Sequence, residues 1–312
     1  METKVHAKLG NEPLKESSMA MPKQHRILIA TDGSPAAQAA LATAVKFPWS
    51  ASSHVRAVIA RSNWLSTDLE AARAAVEKSF EAAAAAARRG LAPRWPESKV
   101  VIIDASPADA ILAEAERFKA SLIVLGWRGH GTFRRLLAGS VSRSVAARAH
   151  CPVLVVREAA SAVRRFVVGF DGCSNAERAL EFLSSLEPER GSRVVLVNVV
   201  EPVSVPASVG RLPSSVRTHV HGEVAALNKE RYQQGQVTVA AGAARLERSG
   251  WKAKTEVRVG APLASLLKAV EEHRADVLVL GARATGGLER ALLGSVANGA
   301  LDRSPVPVLL VR

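Results

Sequence analysis

Residues 121–157 read SLIVLGWRGHGTFRRLLAGSVSRSVAARAHCPVLVVR, and residues 276–312 read DVLVLGARATGGLERALLGSVANGALDRSPVPVLLVR. The two stretches superpose without a gap at an offset of 155, and 16 of the 37 positions are identical. Each opens on an apolar run of strand length, crosses a glycine-containing segment and closes on a second apolar run. A structural unit that ends this way is therefore present twice.

Working outward, 28–34 (LIATDGS) resembles 167–173 (VVGFDGC), with Asp32-Gly33 falling on Asp171-Gly172 at an offset of 139. The second copy is therefore 16 residues longer between its matched ends. The extra residues are expected in 201–235, which Pro202, Pro206, Gly210 and Pro213 mark as a loop. Residues 25–157 and 166–312 form the two domains, 158–165 a linker, and the polar segment 1–24 a disordered N-terminal extension. Met21, just before the first strand, is a candidate translation start besides Met1.

Within each copy, short β-branched runs alternate with alanine-rich stretches, the pattern of βαβ units on a parallel sheet. The predicted strands of the first copy are 26–30, 55–60, 99–103, 122–125 and 152–156. Those of the second are 166–170, 193–200, 254–259, 277–280 and 306–311. Ser34-Pro35 and Ser106-Pro107 read as N-cap followed by first-turn proline, and 68–89 reads as a helix stopped by Gly90. The fold class is α/β: two tandem domains, each a five-stranded parallel doubly wound sheet with flanking helices. Such sheets bind ligands at the carboxyl ends of their strands, where the winding reverses. Here those are the ends of the first and fourth strands.

Composition narrows the ligand. The 312-residue chain has 42 Lys+Arg against 29 Asp+Glu, a net +13. Cut at residue 160, the excess divides into +8 and +5, so no basic tail carries it. Thirteen aromatics are few for a base-stacking platform, which disfavours nucleic acid. No apolar run reaches the roughly 18 residues of a membrane span. Cys151 and Cys173 form no disulfide framework or metal clip, and a cytoplasmic setting is expected.

After the fourth strand stand Gly126-Trp127-Arg128-Gly129, nine further residues, and Gly139-Ser140. Glycines let backbone N–H groups approach an anion, and a helix starting at Ser140 adds its amino-terminal dipole. Segment 126–148 holds Arg128, Arg134, Arg135, Arg143 and Arg148 and no acid, a local +5 suited to polyphosphate. Arg128 is the preferred contact, and the remaining arginines are equally well read as a solvated helix face.

The Gly-x2-Gly-x9-Gly-Ser pattern, the strand-Thr-Asp-Gly-Ser start and the closing Pro-Val-Leu-Val-Val strand together resemble the universal stress protein family, as a tandem covering nearly all of 25–312. The resemblance implies an adenine nucleotide alpha hydrolase-like, Rossmann-like domain that often dimerises through its last strand. Family members that bind ATP, with or without Mg, hold adenine near the first two strands and phosphates on the glycine loop. Carried over, Ala30, Asp32 and Ala60 meet the base and ribose. Gly126, Arg128 and Gly129 line the loop, and Gly139, Ser140, Val141 and Ser142 take the phosphates.

In the second copy the corresponding residues are Asp171, Val199, Gly281, Arg283, Gly294, Ser295 and Val296, with Ala284 in place of the second motif glycine. A Cβ at a close backbone approach costs on the order of 1 kcal/mol or blocks the pose. Segment 281–303 also nets only +1, since Glu289 and Asp302 offset its arginines. The first copy is expected to be the stronger ATP site.

The competing readings are plain. Asp32 and Asp171 double as helix caps. His130 lies within the loop but corresponds to Thr285, and His219-x-His221 is a surface accident rather than a metal pair. No nucleophile, base and orienting acid stand together, and no Walker loop occurs, so the role is not enzymatic, although slow ATP hydrolysis stays open. The main expectation is an ATP-binding, stress-response regulatory protein with an unknown protein partner. Its rival is a nucleotide-independent interaction or dimerisation protein with vestigial pockets. The last strands need a partner, either each other, as an intrachain pseudo-dimer, or a second chain, as a homodimer.

Overall fold

The computed structural model describes residues 24–61, 70–128, 139–282 and 293–312. The first copy runs β1 (Arg26–Ala30), α1 (Pro35–Val45), β2 (His54–Ala60), α2 (Glu70–Leu91), β3 (Lys99–Ile103), α3 (Pro107–Phe118), β4 (Leu122–Gly126), α4 (Ser140–Arg148) and β5 (Val153–Val156). The second runs β6 (Arg165–Gly169), α5 (Ser174–Ser184), β7 (Arg193–Val200), a 3-10 turn (Ala207–Arg211), α6 (Ser214–Arg248), β8 (Lys252–Val259), α7 (Pro262–Glu272), β9 (Val277–Gly281), α8 (Ser295–Arg303) and β10 (Val308–Val311).

The inner strands are near-continuous apolar runs because helices cover both their faces. Ile27, Leu28 and Ile29 in β1, and Leu278 and Val279 in β9, are fully buried. The serine-proline starts behave as the sequence requires. The Ser34 hydroxyl accepts from the Ala37 amide at 3.2 Å, and the Ser106 hydroxyl from the Asp109 amide at 3.4 Å. Each such cap stabilises its helix by about 1 kcal/mol.

The strands form one ten-stranded sheet ordered β3-β2-β1-β4-β5-β10-β9-β6-β7-β8. Each half is parallel with its winding reversed between the first and fourth strands of the copy. The halves meet through antiparallel β5 and β10, where Leu154 pairs with Leu309, Val155 with Val308 and Val153 with Leu310. Leu154 and Leu309 are equivalent residues of the repeat, so a pseudo-twofold axis passes between them. Of the two pairings open to the last strands, the intrachain one is therefore present.

Both faces of the sheet strengthen this junction. On one, Phe47 stacks on Trp49 at 4.9 Å and meets Phe166 edge-on at 5.9 Å, and Trp49 meets Phe182 at 6.4 Å. On the other, Arg143 of α4 donates to Asn298 at 2.7 Å and pairs with Asp302 of α8, and the Trp127 indole donates to the Leu301 carbonyl at 2.7 Å. The guanidiniums that end the copies cross over. Arg157 donates to the Asp302 carbonyl of α8, and Arg312 to the Ala147 and Ala149 carbonyls of α4. A cation at a helix carboxyl end satisfies orphan carbonyls and opposes the negative dipole end.

Two expectations need correction. Residues 201–235 are not wholly a loop, because α6 begins at Ser214 and runs through them to Arg248. Two of its glycines serve packing: a Cβ on Gly235 would stand 2.7 Å from the Asn198 side chain, and one on Gly242 2.7 Å from Leu196. Gly90 likewise lies inside α2 rather than beyond it, and a Cβ there would meet Leu41 at 2.7 Å. Glycine weakens a helix by roughly 0.5–1 kcal/mol, but it admits a neighbour no other residue would.

Candidate functional site

The winding reverses between β1 and β4, and in such sheets the binding crevice lies at the carboxyl ends of those strands. Beyond β1, the Thr31 amide donates to the Val58 carbonyl at 3.0 Å and ties the crevice floor to β2. Gly33 has φ +79°, and the Asp32 carboxylate accepts from the Ser34 amide at 3.0 Å. The turn thus needs glycine for its backbone and aspartate for its closure. Gly172, with φ +78°, and Asp171, accepting from the Cys173 amide at 3.0 Å, repeat it in the second copy. Neither aspartate is the helix cap that competed with ligand contact, since the N-caps of α1 and α5 are Ser34 and Cys173; each carboxylate instead closes the turn before the cap.

Gly126 ends β4 against the first turn of α1. A Cβ there would lie 2.7 Å from the Ala36 backbone carbon, a clash that only displacement of the helix would relieve. Gly281 meets Asn175 and Ala176 in the same way, at 2.9 and 3.1 Å. The first motif glycine is thus a packing requirement in both copies, and it brings α1 close to the crevice.

Gly139 is the N-cap of α4 and has no side-chain cap, unlike Ser34 and Ser106 on α1 and α3. Its amide returns to the Trp127 carbonyl at 2.9 Å, closing the ends of the intervening segment on each other. Gly294 does the same to the Ala282 carbonyl at 3.0 Å and is the equally uncapped N-cap of α8. The first turns of α4 and α8, with Ser140 and Val141 in one and Ser295 and Val296 in the other, present amide donors toward this end of the sheet.

Ser142 departs from its expected role. Its side chain is buried, with the hydroxyl 2.9 Å from the Trp127 carbonyl and 3.0 Å from that of Gly139, so its proton serves the protein backbone. The local +5 is also partly consumed, since Arg148 pairs with Asp109 at 2.8 Å and Arg143 with Asp302. Arg128 and Arg157 lie over the Trp127 ring at 4.1 and 3.9 Å. Gly129, His130, Arg134, Arg135, Arg283, Ala284, Thr285, Glu289 and Arg290 lie outside the described residues.

Ala30 and Ala60 stand at the ends of β1 and β2, and Val199 near the end of β7. Just past Ala60, sequence reasoning missed Arg61. Its guanidinium grips Asp104 through two bonds, 2.5 and 2.9 Å, and Glu77 at 3.0 Å, fastening β2 to α2 and to the segment after β3. The corresponding residue of the second copy is Val200, and that contrast was the available signal. His219 and His221 lie two residues apart on α6 and therefore point to different sides of it. Among the described residues no three His, Cys, Asp or Glu side chains gather as a metal site, and no helix is long and apolar enough to cross a membrane.

The fold and crevice define a tandem of doubly wound α/β domains with a strand, glycine segment and uncapped helix at each reversal point. The model of the Universal stress protein family matches residues 24–157 and again 162–312, and the chain belongs to that family. A universal stress protein of Methanocaldococcus jannaschii is 30% identical over 158 residues, covering 51% of this chain and 87% of that one. One from Mycobacterium tuberculosis is 29% identical over 207 residues, 62% of each chain, so the match spans less than two thirds of that relative's length. Among solved structures, a universal stress protein from Archaeoglobus fulgidus aligns with a TM-score of 0.67 at 19% identity, over 93% of this chain and 97% of its own, a likeness of fold.

Proposed function

We propose that the chain is a nucleotide-responsive regulatory protein of two domains, 25–157 and 166–312 joined by 158–165, in which ATP binds chiefly to the first. The observation that carries this reading is the uncapped start of α4 facing the carboxyl end of β4, where every residue of the glycine motif is retained in the sequence. Phosphates there would take the amides of Ser140 and Val141, the Ser140 hydroxyl and the charge of Arg128. Ala30 and Ala60 leave room for the base, and Asp32, just beyond β1, would meet the ribose end.

Binding rather than turnover is the role assigned, because Asp32 already holds its own turn and no metal cluster accompanies it among the described residues. Magnesium, if it accompanies ATP, would therefore be held mainly by the phosphates. The second site keeps Gly281, Gly294, Ser295 and Val296 but has Ala284, so it is the weaker one.

The signal would leave the first site through Trp127, which touches Arg128 and also bonds α8 of the other domain. Equilibrium dialysis with ATP, combined with mass spectrometry of ligand released from purified protein, tests the proposal. One tight site per chain, weakened about tenfold or more by Gly129→Ala, is expected. Two equal sites, or no effect of that substitution, would overturn the asymmetry, and absence of any ATP binding would favour a nucleotide-independent interaction protein.

A further inference from the structure

At the opposite end of the sheet from the crevice, the first copy has a cavity of about 470 Å³ beneath the amino ends of β1, β2 and β3. Arg26, Arg56, Arg94 and Lys99 line it, with Phe118 as one wall and Glu97 its one carboxylate. The Arg26 and Arg56 guanidiniums both lie over the Phe118 ring, 4.4 Å from its centre, so two like charges share one aromatic surface. Arg56 is neutralised by buried Glu114, yet its Nε is buried without a hydrogen-bond partner among the described residues. Arg26 gives its Nε to the Phe118 carbonyl and has no carboxylate among its described partners. Among the described residues Arg94 donates to the carbonyls of Val45, Phe47 and Trp49, and burial pushes its pKa below the ordinary arginine value.

The second copy shows what is missing. Its residue matching Arg26 is Arg165, whose guanidinium closes on buried Asp276 at 2.5 Å, and Asp276 also accepts the Arg164 and Arg165 amides at 2.9 and 2.8 Å. The first-copy residue matching Asp276 is Ser121, whose hydroxyl accepts the Arg26 amide at 2.9 Å and contributes no charge. Val195 and His273 stand where Arg56 and Phe118 do, and Arg164 and Arg193 where His25 and His54 do, so the second copy lacks the paired guanidiniums over an aromatic ring but not the positive charge. Ser53, on the cavity wall, and its equivalent Ser192 both have buried hydroxyls without partners among the described residues, so that donor is common to the two and the carboxylate beside the arginine is what differs.

We infer that this cavity is a second binding site, separate from the nucleotide crevice, for a small phosphate-bearing anion, which supplies in the first copy the negative charge that Asp276 supplies in the second. Guanidinium and ammonium donors converging on a partly enclosed volume suit phosphate oxygens, and charge-assisted bonds of this kind are the strong ones. The cavity size lies within the range of small-ligand sites, roughly 300–1,000 Å³.

The test is calorimetric titration of the full chain with inorganic pyrophosphate at low salt. Arg26→Gln and Lys99→Gln are each expected to weaken binding about tenfold, and Ser121→Asp, which installs the second copy's carboxylate beside Arg26, to abolish it. Thermal melts check that each variant is folded, and Lys99, being exposed, serves if Arg26→Gln is not. Gly129→Ala, at the crevice, should leave pyrophosphate binding unchanged while weakening ATP. The reverse pattern would place pyrophosphate in the glycine loop and overturn the inference. So would absence of binding to the unaltered chain, or binding indifferent to all three cavity variants.

Discussion

The first half of the sheet begins on His25 and Arg26 beside the neutral Ser121, and the second begins on Arg164 and Arg165 around Asp276. The backbone pairing is the same: the Ser121 amide donates to the Arg26 carbonyl at 2.8 Å and the Asp276 amide to that of Arg165 at 2.7 Å. One fold position thus tolerates either a hydroxyl or a buried charge. The arginine is present in both: Arg165 pairs the buried Asp276, as a buried carboxylate requires, whereas Arg26 has only the neutral Ser121 beside it.

Breaking that contrast should have the largest effect. Asp276→Ala would leave Arg165 and two amides unpaired, and a loss of about 3–5 kcal/mol is expected in urea unfolding. Ser121→Ala removes a neutral acceptor and should cost about 1 kcal/mol. Equal losses would show that the two sites are not electrostatically distinct.

The junction offers the symmetric counterpart. Leu154 and Leu309 are both fully buried and face each other across the pseudo-axis. Each Leu→Ala change should cost about 2–5 kcal/mol, by similar amounts, and the pair should be non-additive because the residues touch. A large inequality would mean that one half can repack alone.

Such symmetric features are the ones the sequence displayed. The apolar runs, the 155-residue offset and the serine-proline caps all report local chemistry, so strands and fold class were legible. Gly90 misled because its purpose is Leu41, a neighbour distant in sequence, and without that neighbour a glycine after an alanine-rich run looks like a helix stop. The site was legible as a motif but not in its details. That Ser142 spends its hydroxyl on Trp127, or that Arg143 and Arg148 are committed to Asp302 and Asp109, depends on contacts no spacing encodes.

pH sharpens the comparison further. His25, which the second copy replaces with Arg164, is buried between Trp49 and Phe182, where desolvation lowers its pKa below 6.5. Below pH 6.5 the unfolded chain therefore binds the proton that the folded chain resists. Stability from this residue is complete above pH 6.5 and declines as the pH falls toward the lowered value, by at most about 1.4 kcal/mol per pH unit. His25→Gln should flatten that part of the stability profile, and an unchanged slope would assign it to other groups.

The smallest effect is expected at the crossed caps. Arg157→Ala and Arg312→Ala should each cost about 0.5–1 kcal/mol in thermal unfolding, through equivalent contacts on α8 and α4. Arg157→Ala should in addition blue- or red-shift the emission of Trp127, which Arg312→Ala should leave alone.

The covalent joining of β5 to β10 through a single chain has an evolutionary consequence. Between two identical subunits every change on one side of the axis is imposed on the other, and a useful asymmetry is paired with its own mirror image. Within one polypeptide each change occurs once, and assembly no longer depends on concentration because the partner is tethered. Serine at 121 and aspartate at 276, glycine at 129 and alanine at 284, tryptophan at 127 and alanine at 282 are divergences such a chain is free to accumulate, so that one half can specialise in sensing while its twin keeps the scaffold.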